Sequence, residues 1–330
     1  MPLPARRFPR LGRSVHPVGF GGWAIGGTWG DVPEDDARAA LHAALDAGAD
    51  FIDTADVYGD GRSERIIAAV LAERAGPRPF VATKAGRRLS PHVAEGYTAA
   101  NLGAFIDRSR ANLAMDRLDL VQLHCPPAAV YAADAAFDAM DLFVAEGRIA
   151  AWGVSVETVE EGLSAIRRPG CASVQIIWNM FRQKPAAAFL PAAAAAGVGV
   201  IARVPLASGL LTGKLTADTA FSADDHRAFN RDGAAFDKGE TFSGVPYDVA
   251  LAAVEALRPL VPERASMAAW ALRWCLMEEA VTVVIPGAKT AAQALANMAA
   301  ADLPALPGAD MDAIRAVYDA QVRPHVHHLW

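Results

Sequence analysis

Three short apolar runs in the first 125 residues each close on an ionisable side chain: Phe51-Ile52-Asp53, Phe80-Val81-Ala82-Thr83-Lys84 and Leu120-Val121-Gln122-Leu123-His124. Amphipathic stretches of helical period separate them. That alternation predicts βα units and a parallel sheet. A parallel strand covered on both faces reads as a continuous apolar run, which these are. Neighbouring strands lie about 4.8 Å apart, so the three groups are expected to stand together at one rim. In closed parallel barrels the C-terminal rim carries the chemistry. Tyr58, five residues beyond Asp53 and next to Gly59, is placed to hang over it.

The pattern continues along the chain. A hairpin is expected over 8–16, turning at Gly12-Arg13. Strands follow at 18–20, 51–53, 80–84, 118–124, 149–155, 173–178, 198–203 and 281–285. Helices are expected at 35–47, 63–73 (Ser63 as N-cap), 98–113, 134–146, 156–167, 185–196 and 290–300, with Gly or Pro near their ends. Two more, 247–260 and 266–277, fill the space before the last strand. A helix over 310–320 precedes a tail that reads as irregular. The fold class is therefore α/β, a (β/α)8 TIM barrel with an N-terminal β-hairpin, occupying 1–330 as one domain. Its long loops lie at the C-terminal face. The polar, Gly-rich stretch 214–247 is long for a barrel loop and reads as a lid or binding loop.

Composition narrows the function classes. Hydrophobic residues make up 53% and charged residues 21%, enough for a large core. A net charge of −6 without Lys/Arg runs argues against nucleic acid as partner. No stretch reaches the roughly 20 apolar residues of a membrane span. The basic N-terminus lacks the apolar core of a secretory signal. Cys125, Cys171 and Cys275 have no zinc or CxxC spacing, and a cytoplasmic enzyme is the plain reading.

The residues at the rim suit proton delivery to a carbonyl oxygen. A free phenol has a pKa of about 10, and a nearby ammonium lowers it by favouring the phenolate. Each residue alone has an ordinary structural reading, and Lys84 alone also fits a Schiff-base aldolase or lyase. The set in register is far more specific.

These four residues and their spacing resemble the catalytic tetrad of the aldo-keto reductases, and the resemblance runs along nearly the whole chain. It implies an oxidoreductase interconverting a carbonyl (aldehyde, ketone or aldose) and an alcohol, with Tyr58 as general acid/base, Lys84 lowering the phenol's pKa, Asp53 neutralising the buried ammonium and His124 orienting the oxygen. It implies NADP (NADPH) as cofactor, with NAD as the alternative, held across the barrel mouth. Ser155 and Gln175 match the carboxamide partners, Trp178 matches the stacking aromatic, and Gly22 and Trp23 match residues bordering the nicotinamide. Pro205, Leu206, Ser208, Gly209, Leu211 and Lys214 match the loop over the pyrophosphate. Arg203 reads as a phosphate partner or as half of a rim ion pair. Gly287, Lys289, Thr290, Gln293 and Asn297 match the adenosine end, Lys289 meeting a 2′-phosphate. The chain departs from the family at Val156 and Ala296, where Asn and Glu are frequent. Trp23, Trp29, Tyr58 and His124 are expected to line the substrate pocket. A small carbonyl or sugar is the expected partner, and the protein a monomer or homo-oligomer. A non-catalytic NADP-sensing regulatory subunit is the other alternative. His325, His327 and His328 suggest a tail folding over the substrate mouth rather than a metal site.

Overall fold

The computed structural model describes residues 3–330. β1 (Arg6–Phe8) and β2 (Arg13–Val15) pair antiparallel, Arg6 opposite Val15, around the left-handed Gly12. This hairpin seals the barrel floor. Phe8 is fully buried there, its ring stacked on Phe51 with centroids 5.6 Å apart, and Phe51 stacks on Phe80 in turn.

Eight parallel strands make the barrel: β3 (Phe20–Gly21), β4 (Phe51–Asp53), β5 (Phe80–Ala85), β6 (Leu120–His124), β7 (Trp152–Ser155), β8 (Cys171–Ile177), β9 (Gly199–Arg203) and β10 (Val281–Val284). Each pairs with its neighbour in sequence, and parallel bridges Val18–Val284 and Gly21–Gly287 join the first strand to the last. Closure is tight at Gly21, where an added Cβ would lie 2.5 Å from the Ile285 carbonyl oxygen.

Alternation along the strands sorts the interior into layers. Phe51, Phe80, Ala82, Leu120, Ile201 and Val283 form the apolar lower filling with Phe8. Asp53, Lys84, Gln122 and Gln175 are buried above them as a polar upper layer. The larger core lies outside the barrel, between the sheet and its helices.

Helix starts follow local capping chemistry. Thr98, Thr158, Ser266 and Thr290 each accept the backbone N–H three residues on, and Thr158–Glu161 form a capping box. That box starts the helix at Val159–Ala165, shorter than the expected 156–167. Ser63 is not a cap. The left-handed Gly61 precedes the helix Arg62–Ala72, and Ser63 in its first turn donates to the Gly22 carbonyl (2.9 Å). The tail also departs from expectation. Helical turns Tyr318–Val322 and Arg323–Val326 carry the chain to Trp330, which is 7% exposed. Its indole donates to Asp237 (3.0 Å) and lies under the Arg182 guanidinium (3.8 Å), so the tail is pinned to the 214–247 segment. His327 is engaged by the Tyr318 hydroxyl at 2.8 Å.

Candidate active site

The expected four residues meet at the upper rim. Lys84 sends its ammonium to three oxygens: Asp53 Oδ1 (2.5 Å), the Thr54 carbonyl (2.9 Å) and the Tyr58 hydroxyl (3.1 Å). An ammonium has three donors, so all are used. The phenol oxygen accepts from Lys84, which leaves its own proton free for another acceptor. Asp53 Oδ2 takes N–H bonds from Gln175 (2.7 Å) and Gln122 (3.1 Å), so the buried carboxylate is satisfied on both oxygens. His124 meets Tyr58 edge-on, with centroids 6.1 Å apart.

Electrostatics refine the expected roles. Burial opposes the Lys84 ammonium, but Asp53 and Tyr58 outweigh it and raise its pKa. Lys84 is thus a fixed cation, whereas a Schiff-base lysine must lose its proton. Burial raises the Tyr58 pKa more than Lys84 lowers it, and Asp53 cancels part of the lysine's influence. The expected lowering of the phenol is therefore overturned in the cofactor-free protein. His124 is held well below the usual histidine range by burial first, then by Arg87, Lys84 and Arg203.

A cavity of about 450 Å³ opens from these groups along the barrel mouth. Trp23, Trp29, Tyr58 and His124 form one end. The Trp23 and Tyr58 rings stack at 6.0 Å, and Trp29 meets Trp23 edge-on at 5.4 Å. Ser155 and Gln175 face the middle of the cavity beside Asp53. The Gln175 amide N–H donates to Asp53, which leaves Oε1 as an acceptor, and Ser155 is the register partner of Gln175 on the adjacent strand. Pro205, Leu206, Ser208, Gly209 and Lys214 also line the cavity, as do Gly287, Lys289, Gln293 and Asn297. Asn297 Nδ2 donates to the Gly287 carbonyl (3.1 Å), and Gln293 Oε1 accepts from the Lys289 N–H (2.9 Å).

Four expected residues stand back from the cavity. Trp178 is the clearest miss. Gln175 faces inward, so alternation turns Trp178 out, where it stacks on Trp274 (4.9 Å) and donates to the Cys275 carbonyl (3.1 Å). Leu211 is wholly buried in the core beneath its loop. Thr290 caps the helix Ala291–Met298 through Gln293 N–H (3.3 Å). Gly22 packs against the next helix, where a Cβ would come 2.7 Å from Ser63 Oγ. Arg203 lines the cavity as half of an ion pair, donating to Glu157 (2.7 Å) and to the Val156 carbonyl (3.1 Å). Cys125 is buried beside Ser155, and burial raises its thiol pKa, which disfavours a redox role.

Sequence reasoning missed Arg87, Glu157, Arg227 and Glu240. Arg227 lines the cavity beside Trp29, clasped by Asp225 (2.6 Å) with its guanidinium 4.9 Å over the indole ring. Lys289 donates to the Trp29 carbonyl, and burial and then Arg227 lower its pKa. Lys289 and Arg227 are thus two cations lining one cavity, the second already paired with Asp225. A basic residue inside a polar loop carries no signal for this.

The sequence profile described as the aldo/keto reductase family matches residues 17–319. The chain belongs to the aldo/keto reductase family. It is 30% identical to a probable voltage-gated potassium channel subunit beta of Oryza sativa subsp. japonica, over 96% of this chain and 97% of that one. It is 31% identical to an aldo-keto reductase of Bacillus subtilis, over 84% and 82%. Among solved structures, a glycerol dehydrogenase from Gluconobacter oxydans is similar at 29% identity, with a TM-score of 0.77 over 98% of this chain and 96% of that one. An aldo-keto reductase from Klebsiella pneumoniae in complex with NADPH shares the fold at 24% identity, with a TM-score of 0.71 over 96% of each chain. Membership of the aldo/keto reductases accords with a tetrad assembled from β4, β5, β6 and the loop carrying Tyr58. Among the described residues, no helix is long and apolar enough to cross a membrane.

Proposed function

We propose that this chain is an NADP(H)-dependent oxidoreductase that interconverts a small carbonyl compound (an aldehyde, ketone or aldose) and its alcohol. The observation that carries the reading is the Lys84 ammonium, shared between Asp53 and the Tyr58 hydroxyl in a buried pocket. The elongated cavity suits a dinucleotide. The Ser155 hydroxyl and Gln175 Oε1 offer a carboxamide one donor and one acceptor. Lys289, Arg227 and Lys214 offer cations to phosphates, which favours NADPH over NADH. When bound, the nicotinamide supplies or takes the hydride.

The chain's own residues handle the proton. As hydride reaches the carbonyl carbon, negative charge develops on its oxygen, and the Tyr58 phenol donates its proton there. The phenolate left behind is stabilised by Lys84, already in contact. Asp53 keeps the lysine charged and aimed, and the reverse direction uses the phenolate as base. The Trp23 and Trp29 faces suit the apolar side of a sugar or polyol, in keeping with the glycerol dehydrogenase relative.

A panel of carbonyls and sugars assayed by NADPH oxidation tests this, with Tyr58→Phe as control. Turnover should fall by about 10²–10⁴-fold with cofactor binding retained, the usual range for loss of a general acid. Unchanged turnover would remove Tyr58 from its role. The likeness to a channel subunit keeps a second reading open, a non-catalytic NADP-sensing subunit; the complete tetrad favours catalysis. A Schiff-base aldolase is disfavoured by the fixed charge of Lys84.

A further inference from the structure

Beside His124 four charged side chains close into a ring of alternating sign. Arg87 Nη1 donates to Glu240 Oε1 at 2.7 Å, and Glu240 Oε2 lies 3.8 Å from Arg203 Nη1. Arg203 Nη2 donates to Glu157 Oε2 at 2.7 Å, and Glu157 Oε1 lies 3.7 Å from Arg87 Nη2. The four come from separate places: the turn after β5, the turn after β7, the end of β9, and the 214–247 segment. Both guanidiniums are thereby held by carboxylates on two sides. The ring touches the tetrad at one point, where Arg87 Nη1 faces His124 Nε2 at 3.4 Å. The other imidazole nitrogen, Nδ1, is buried without a partner.

A guanidinium only donates and does not lose its charge at accessible pH. A ring nitrogen facing it must accept, which puts the imidazole proton on Nδ1. A second proton on Nε2 would set one N–H against another and two like charges against each other. The remaining charged neighbours act in the same sense: Lys84 on β5, Arg203 on β9 and His92 on the loop after β5 all oppose the imidazolium. The Tyr58 ring is neutral while its phenol keeps its proton. Glu157 and Glu240, which could favour the imidazolium, are each engaged by the two arginines.

We infer that Arg87 is the positioning residue of His124: held by Glu240 and Glu157, its N–H keeps Nε2 an acceptor and the imidazole neutral. Glu240 matches the Arg87 charge, its carboxylate kept ionised by Arg87 and Arg203 against the opposing effect of burial, whereas burial raises the Glu157 pKa to about 7 and makes Glu157 the weaker partner. Glu240 extends this control to the long loop, whose docking completes the ring. In the proposed carbonyl chemistry, on which only this consequence rests, a neutral His124 whose Nε2 is taken by Arg87 does not compete as proton donor, and Tyr58 alone delivers the proton.

Nitrogen NMR of ¹⁵N-histidine-labelled, cofactor-free protein reads this directly, with His124→Asn assigning one of the eight histidines. In the wild type, His124 should keep an unprotonated, pyridine-like Nε2 and a protonated Nδ1 at pH values where exposed histidines have titrated. In Arg87→Met that pattern should be lost, by a tautomer switch or by titration among the exposed histidines, and Arg87→Lys should restore it in part. The charge-balanced pair Arg87→Met/Glu240→Gln should behave as Arg87→Met does, so a fold defect in the single variant does not decide the matter. A wild-type His124 that titrates normally or carries its proton on Nε2 would overturn the assignment. So would a folded variant lacking Arg87 in which His124 is unaltered. Neither readout needs cofactor or substrate, so failure here is separate from failure of the reductase reading. In turnover, Arg87→Met should add a histidine limb to the pH–rate profile that the wild type lacks, and loss of rate without that limb would indicate a merely structural role.

Discussion

Replacing Lys84 with methionine isolates the central ion pair. The ammonium is 1% exposed and the Asp53 carboxylate 3%, at 2.5 Å, so neither charge has water to fall back on. Breaking a buried pair by removing one partner usually costs about 3–5 kcal/mol, because the other charge stays buried and uncompensated. Asp53 would keep its two amide donors, Gln122 and Gln175, but no cation. With an unfolding entropy of about 2.1 cal/mol/K per residue, a chain of this length should lose about 4–7 °C in Tm. Removing both charges in Asp53→Asn/Lys84→Met should recover much of that loss, giving a coupling energy of about 1–3 kcal/mol in a double-mutant cycle. The sign with pH also follows. Asp53 raises the Lys84 pKa above its ordinary value of 10.5. The pair's stabilisation is thus fully present below that value and is lost only as pH rises through the raised one. Scanning calorimetry between about pH 6 and 9 should therefore find the Lys84→Met penalty constant. A Tm change under about 1 °C, or a double variant no more stable than the single, would refute the reasoning.

Other outcomes are specific to single contacts. Lys289→Ala and Arg227→Ala should each weaken NADPH binding by about 10-fold or more, the worth of a charge-assisted contact, and leave NADH nearly unchanged; fluorescence titration with both cofactors checks this. Trp330→Ala should destabilise the protein by about 2–4 kcal/mol, below the full core value because the residue is terminal, and raise the rate of proteolytic cleavage within 214–247. Asp56 is wholly buried with neither carboxylate oxygen partnered, and burial followed by Glu64 raises its pKa to about 7. The folded state therefore holds a proton that the unfolded chain releases, and wild-type stability falls as pH climbs from the usual aspartate value of 3.8 toward 7. Asp56→Asn should flatten that fall, gaining about 1–3 kcal/mol on the wild type at pH 8 relative to pH 5 in urea unfolding.

How legible the site was depended on how local its signal is. Asp53, Lys84 and His124 each close an apolar run, and one rule about strand ends places all three. Ser155 closes β7 in the same way, whereas Gln175 lies inside β8 and comes from family resemblance alone. Trp178 failed by one step of alternation: its neighbour Ile177 pairs with Arg203, while the indole turns outward to Trp274. Trp330 read as the end of a loose tail because nothing nearby in sequence signals the pocket made by Asp237, Arg182 and Gly244. There the ring comes so close that a Cβ on Gly244 would lie 2.4 Å from it.

The amino-acid order by itself determined the barrel, the order of its strands and the meeting of a phenol, an amine, an imidazole and an acid. Those depend on period-two and helical patterning and on residues next to strand ends, all short-range information. Tertiary structure alone decided the pKa directions, the placing of Arg227 over Trp29, and the ring of Arg87, Glu157, Arg203 and Glu240. Burial and pairing set those properties, and Arg87 meets Glu240 across 153 residues of chain. Charges on polar loops look alike in sequence until folding selects which of them share a low-dielectric space.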